Sequence, residues 1–253
     1  MLLSLTYHHV NSDQFSNKSE VIENHFKYIS TRFQTIFPSE YQASIFNLQL
    51  CLVFDDAYYD FYHYVYKLLL KYNIKVVLAV PTSYILEDTN CNSKTRLNLM
   101  HSDTMKSDNY KKIVPFCTWS ELTEMAESKL VKIASHGHKH LRLAVSSDDE
   151  INKELSLSKK IIESKINDSC NIFVYPYYSF NKKIFEKSMG LYKYCFASGG
   201  IINYKIGNGL IYRISADGMV KGDELFSLKR LLGYFRGALK KKIKKIISGD
   251  SIY

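Results

Sequence analysis

The chain has 253 residues, 46% of them hydrophobic and 23% charged, which is enough length and apolar content for one large folded core. Eleven Gly and four Pro exclude a collagen-like chain and argue against disorder, and no stretch approaches the roughly 18 apolar residues of a membrane span. The net charge of +9 would suggest a nucleic-acid partner, but eight uncompensated cations lie between Phe226 and Gly249 and leave the rest nearly neutral. The five cysteines lack CxxC spacing and read as buried thiols in a reducing compartment. The first residues reach His8 and His9 before an apolar signal region forms, so the expectation is no export signal and a cytoplasmic protein.

In chain order, apolar runs alternate with segments of helical period, the pattern of βα units around a mostly parallel sheet. Strands are predicted at Leu2–Tyr7, Gln34–Phe37, Leu50–Phe54, Lys75–Val80, Leu130–Ala134, Asn171–Tyr175 and Tyr194–Ala197, with Leu210–Ile214 as an eighth candidate. Helices are predicted at Glu20–Arg32, Tyr58–Tyr72, Ser120–Ser128, Ser147–Ile166 and Asn181–Ser188. Ser120 and Ser147 each precede acids that suit the positive end of a helix. The polar, aperiodic stretch 82–117 reads as an insertion that emerges where βα loops build active sites, so a substrate lid is expected there, with a merely floppy loop as the alternative.

Chemistry concentrates at two strand ends. Leu50-Cys51-Leu52-Val53-Phe54 ends in Asp55-Asp56, and because adjacent side chains diverge, one acid can face a metal and the other a reacting water. Either could instead cap the helix that follows. Leu130–Ala134 runs into Ser135-His136-Gly137-His138-Lys139-His140, where His136 and His140 are spaced to converge on one ion while His138 points elsewhere. A carboxylate would complete a facial triad with positions left for water, and the plainer alternative is an exposed polar turn.

Phe54-Asp55-Asp56, Ser135-His136-x-x-x-His140 and Tyr175-Pro176-Tyr177, in that order, resemble the polysaccharide deacetylases, carbohydrate esterase family four. Trp119-Ser120-Glu121-Leu122 and Phe173–Tyr178 support the likeness, which spans roughly Leu2 to Ile214. The resemblance implies a distorted (β/α)7-type barrel and a metal-dependent deacetylase. In that pattern Asp55 is the base, Asp56, His136 and His140 are the metal ligands, and the Tyr177 backbone N–H helps stabilise an oxyanion. It implies a divalent metal, zinc first, with nickel, cobalt or iron as other candidates.

The sequence departs from the family pattern in three places. Ala57 and Tyr178 stand where glycines are usual, with the expectation that both crowd the pocket. No histidine follows His140, so the late Leu-x-His motif that supplies the general acid is missing. Tyr7-His8 resembles the Tyr-His that opens the circularly permuted poly-N-acetylglucosamine deacetylase branch, which implies His8 as the acid, with His9 as the alternative. Val174 occupies the position of the family's base-orienting Arg, and Arg213, an isolated cation in an apolar run, is the candidate replacement, with an ordinary structural ion pair as the alternative.

The expected organisation is a barrel at 1–225 with the 82–117 insertion, followed by a basic amphipathic helix at 226–253. Leu228, Leu232, Phe235, Leu239, Ile243 and Ile246 form its apolar stripe, and the other face is cationic. An anionic membrane surface is the expected partner of that helix, with docking on the barrel as the alternative. The expected reaction is removal of an N-acetyl group from an amino sugar, with a lipid-linked or other cytoplasmic precursor of a surface polysaccharide as substrate. Another amide substrate or an inactive glycan-binding barrel are the rival readings.

Overall fold

The computed structural model describes residues 1–44, 46–98 and 110–248, with the backbone alone for 242–248. Seven parallel strands close into a barrel in the order β1 (Leu2–Tyr7), β4 (Gln49–Phe54), β5 (Val76–Val80), β6 (Val131–Ser135), β7 (Ile172–Val174), β8 (Tyr194–Ser198) and β9 (Leu210–Ser215). Closure comes from β1, which pairs with β4 along its length and with β9 through Ser4↔Arg213 to Thr6↔Ser215. The short β2 (His9–Val10) and β3 (Ser16–Asn17) pair with each other above β1.

Strand alternation divides the core in two. Leu50, Leu52 and Phe54 join Ile22, Phe26 and Leu69 in the layer between strands and helices. Cys51, Val53, Val77, Ala79, Ala134, Val174, Phe196 and Ile211 fill the barrel interior. The two-residue period therefore continues inward to Asp55 after Val53, to His136 after Ala134 and to Arg213 after Ile211. Burial on both faces explains why these strands read as continuous apolar runs.

The sequence expectations need three structural corrections. Gln34–Phe37 is not a barrel strand: only Thr35 bridges to Leu50, because β1 holds one edge of β4 and β5 takes the other from Leu52 onward. Leu210–Ile214, the eighth candidate, is instead the strand that closes the ring. The helix Trp119–Glu127 is capped by Thr118, whose hydroxyl accepts from Glu121 N while Glu121 accepts from Thr118 N, so Ser120 lies inside it. Ser147 caps its own helix in the same reciprocal way with Glu150.

Within the insertion, Ser102, Asp103, Ser107, Asp108 and Asn109 lie outside the described residues, so the lid expectation there has no structural description. The flanking parts are pinned by Arg96. Its guanidinium stacks 3.5 Å from the Tyr59 ring centroid, pairs with Glu121 at 2.6 Å and donates to the carbonyls of Val114 and Phe116 at 2.8 Å each. Arg96 is buried, so this bracket ties both ends of the insertion to the barrel's outer helices.

The C-terminal helix Leu228–Ser248 lies against the barrel, with Phe226, Tyr234 and Ala238 in the same apolar cluster as the strands. Its side chains divide differently from the expected single stripe: Tyr234 and Ala238 dock, whereas Leu228, Leu232 and Leu239 are exposed. Ile243 and Ile246 lie outside the described side chains. Among the described residues no helix is long and apolar enough to cross a membrane.

Candidate active site

All the chemistry sits at the C-terminal ends of the strands, around a cleft of about 870 Å³. His8 follows β1, Asp55 and Asp56 follow β4, His136 follows β6, Tyr175, Tyr177 and Tyr178 follow β7, and Asp217 follows β9; all line the cleft.

Asp56 Oδ1 lies 3.4 Å from His136 Nε2 and 3.3 Å from His140 Nε2, and the two imidazole nitrogens are 3.2 Å apart. The His136 Nδ1–H donates to the Val174 carbonyl at 2.8 Å, which leaves the Nε2 lone pair facing its neighbours. Burial pushes His140 down to about 4, so its imidazole is neutral near pH 7. Asp56 Oδ1 has no hydrogen-bond donor although it is buried. A buried acceptor facing two imidazole lone pairs, with one ligand atom from each residue within 4.8 Å of the others, fits a divalent cation. His138 takes no part, since its Nδ1 bonds Thr82 Oγ1 at 2.9 Å.

The loop that carries the histidines is built on Glu154. This buried carboxylate accepts from His138 N at 2.9 Å and Lys139 N at 2.7 Å, with Leu141 N more distant at 3.5 Å. Gly137, at φ +81°, allows this approach, because a Cβ there would fall 2.3 Å from Glu154 Oε2. Asp56, Ala57, His140, Tyr177 and Tyr178 also have φ between 53° and 70°, so left-handed backbone gathers at the site. Ala57 is buried in the outer core and does not line the cleft, contrary to the expected crowding; Tyr178 does line it.

Asp55 is a separate unit. Its Oδ1 accepts from Arg213 Nη1 at 2.7 Å, and Arg213 is fully buried in the barrel interior. Burial acts to raise the Asp55 carboxyl, but the charges of Arg213, His136 and His8 outweigh it and hold it well below the usual carboxylate range. The other oxygen, Oδ2, lies 3.6 Å from His8 Nε2. The far side of that imidazole is held by Asp217, which accepts from Nδ1 at 2.7 Å and from the His8 backbone N–H at 3.2 Å. Burial would lower His8, but the Asp217 hydrogen bond and the charges of Asp55, Asp217 and Asp56 raise it to about 9.

His9 faces a different, small cavity, where its Nδ1 meets Asp60 at 2.8 Å and its ring stacks on Tyr58. Tyr177 lies at the rim, with its ring 4.6 Å from His140 and under the Arg142 guanidinium at 4.0 Å. Sequence reasoning missed Asp217 and Glu154. Asp217 carried a usable signal, an acid just past an apolar strand, as Asp55 is. Its significance needed the closure that puts β9 beside β1. Glu154 reads as one more acid on an amphipathic helix and carries no comparable signal.

Fold and site together define a class, the (β/α)7 barrel deacetylases. A family model described as polysaccharide deacetylase matches residues 49–193, and the chain belongs to that family. Among curated proteins none matches the sequence. Solved structures repeat the fold. The Streptococcus pyogenes deacetylase PplD, in complex with acetate, is similar at 19% identity over 89% of this chain and 96% of that one, with a TM-score of 0.69. A de-N-acetylase from Aggregatibacter actinomycetemcomitans is similar at 20% identity over 92% and 99%, TM-score 0.69. IcaB from Ammonifex degensii is similar at 15% identity over 86% and 92%, TM-score 0.66.

Proposed function

We propose that the protein removes the N-acetyl group from an amino sugar in a carbohydrate substrate. The observation that carries this reading is the division of the cleft into three units: Asp56–His136–His140, Asp55 on Arg213, and His8 on Asp217. A divalent cation held by Asp56, His136 and His140, zinc in first place, would polarise the amide carbonyl and lower the pKa of water toward about 7. Asp55, kept ionised and oriented by Arg213, takes the proton of the attacking water. Tyr177, at the rim beside His140, supplies a backbone N–H toward the carbonyl oxygen, as the family pattern implies. His8, charged through neutral pH, gives its proton to the departing amine, while Asp217 fixes the ring so that Nε2 faces the cleft. His8 follows the first strand, as the resemblance to the permuted branch implies for the acid, and it reaches the mouth because β1 lies between β4 and β9.

Within that chemistry we propose a lipid-linked or other cytoplasmic precursor of a surface polysaccharide as substrate, which would bring the enzyme to a membrane surface. Acetate release from a panel of N-acetylated amino-sugar oligomers, free and lipid-linked, tests the reading. Release that requires added metal supports it, and preference for the lipid-linked member supports the precursor assignment. Release from acetylated amides of other kinds, with none from amino sugars, would overturn it.

A further inference from the structure

The C-terminal helix presents two faces of different character. One docks: Tyr234 and Ala238 are buried, Gly237 fits so closely that a Cβ would fall 2.8 Å from Ile201 Cγ2, and the Lys241 ammonium lies 3.3 Å from the Tyr212 ring centroid. Leu228, Leu232 and Leu239, spaced on one line along the next face, are 74%, 46% and 54% exposed. Scattered exposed leucines are ordinary in soluble proteins, but an aligned row on one helix marks an interaction surface.

Beside that row stand Lys229, Arg236 and Lys240, exposed at i, i+7 and i+11 and therefore in line with one another. No acid occurs from Ser227 to Gly249. A polyanion such as nucleic acid would engage the cations and leave the leucines in water. A second copy of the chain would cover the leucines and bring two cationic rows together. An anionic bilayer surface satisfies both rows at once, with leucines at the acyl boundary and cations among the headgroup phosphates.

We propose that this face of the helix docks the folded barrel on an anionic membrane surface. The inference gives the proposed lipid-linked substrate a place to be met, and rests on that reading for its purpose, although the two helix rows argue for docking independently.

The test is co-sedimentation of the full chain with phosphatidylcholine vesicles, with and without phosphatidylglycerol. Two variants are compared with the parent protein, L232Q/L239Q and K229Q/R236Q/K240Q. The parent should bind the anionic vesicles preferentially, the leucine pair should lower partitioning about 10-fold or more, and loss of the three cations should lower it about 100-fold. Both variants should keep parental circular dichroism and parental turnover of a soluble amino-sugar amide, since the altered side chains are exposed and do not line the cleft. Binding to neither vesicle, or to both equally, would overturn the proposal. Binding that depends on the cations but ignores the leucines would assign the face to a polyanion, and a solution dimer dissolved by the leucine changes would assign it to a second copy; both contradict membrane docking. Failure of turnover by the parent would count against the proposed activity alone, because vesicle binding is read separately.

Discussion

Replacing Glu154 by Ala should cripple metal binding although Glu154 lies outside the proposed ligand set. In the parent its two oxygens accept the His138 and Lys139 backbone N–H groups at 2.9 and 2.7 Å, within the loop that sets the separation of His136 and His140. A hydrogen bond to an ionised acceptor contributes about 1.5–3 kcal/mol, so two good ones amount to about 3–6 kcal/mol of loop order. The Leu141 N–H at 3.5 Å is too long to add much. Some of that loss will be relieved as water reaches the freed N–H groups, leaving about 3 kcal/mol, or a fall in Tm of about 6–12 °C for a domain of this size. The remaining effect falls on His140, whose left-handed backbone is held by the same loop; outer partners of metal ligands typically contribute 10–100-fold in affinity. Competition against a chromophoric chelator, with thermal unfolding in parallel, separates the two effects. Glu154→Gln keeps the shape and one acceptor, so it should fall between parent and Ala. If Glu154→Ala bound metal as tightly as the parent, the loop would not depend on the carboxylate and the reasoning would fail.

Three further outcomes follow from the pairings at the mouth. Because His8 is raised to about 9, it is protonated below that pH, and activity should decline as pH rises through it. Asp217→Asn removes the charge and weakens the hydrogen bond that raise His8, so the alkaline limb of the kcat profile should move to lower pH; an unmoved limb would remove His8 as the acid. Arg213→Met strands the buried Asp55 charge, and should lower stability by about 3–5 kcal/mol in denaturant unfolding while raising the apparent pKa of the base. His140→Ala should abolish metal binding and His138→Ala should leave metal stoichiometry intact, since His138 faces Thr82; the reverse result would show the register to be wrong.

Much of the barrel is legible because its strands are buried on both faces and therefore appear as short apolar runs, each ending where chemistry begins. Asp55, Asp56, His136 and His140 stand at such ends, so their proximity follows once the strands are parallel. What the linear sequence hides is adjacency across the closing seam. Asp217 stands just past an apolar strand as Asp55 does, but only β9 pairing with β1 brings it to His8. The same seam turns Arg213 from an isolated cation into the partner of Asp55. Choosing between His8 and His9 also required the fold, because adjacent side chains leave β1 in different directions and only one enters the cleft. In the C-terminal helix, periodicity says only that residues share a face and not which face the barrel covers: Phe235 packs against the barrel while Leu228, Leu232 and Leu239 stay exposed. Gln34–Phe37 shows the converse limit, a β-rich run that finds only the Leu50 end of β4 free to pair with.

The most direct test of the proposed chemistry is Asp55→Asn, assayed for metal content and for acetate release from an N-acetylated amino-sugar substrate in the same preparation. The amide can still accept a hydrogen bond from Arg213, so the fold should hold, and Asp56, His136 and His140 are untouched. The expected result is parental metal stoichiometry with turnover reduced by about 100-fold or more, the scale of a lost general base. Loss of the metal would make Asp55 a ligand, and retention of parental turnover would show that the proton is taken elsewhere; either would contradict the division of labour drawn here between the two adjacent aspartates.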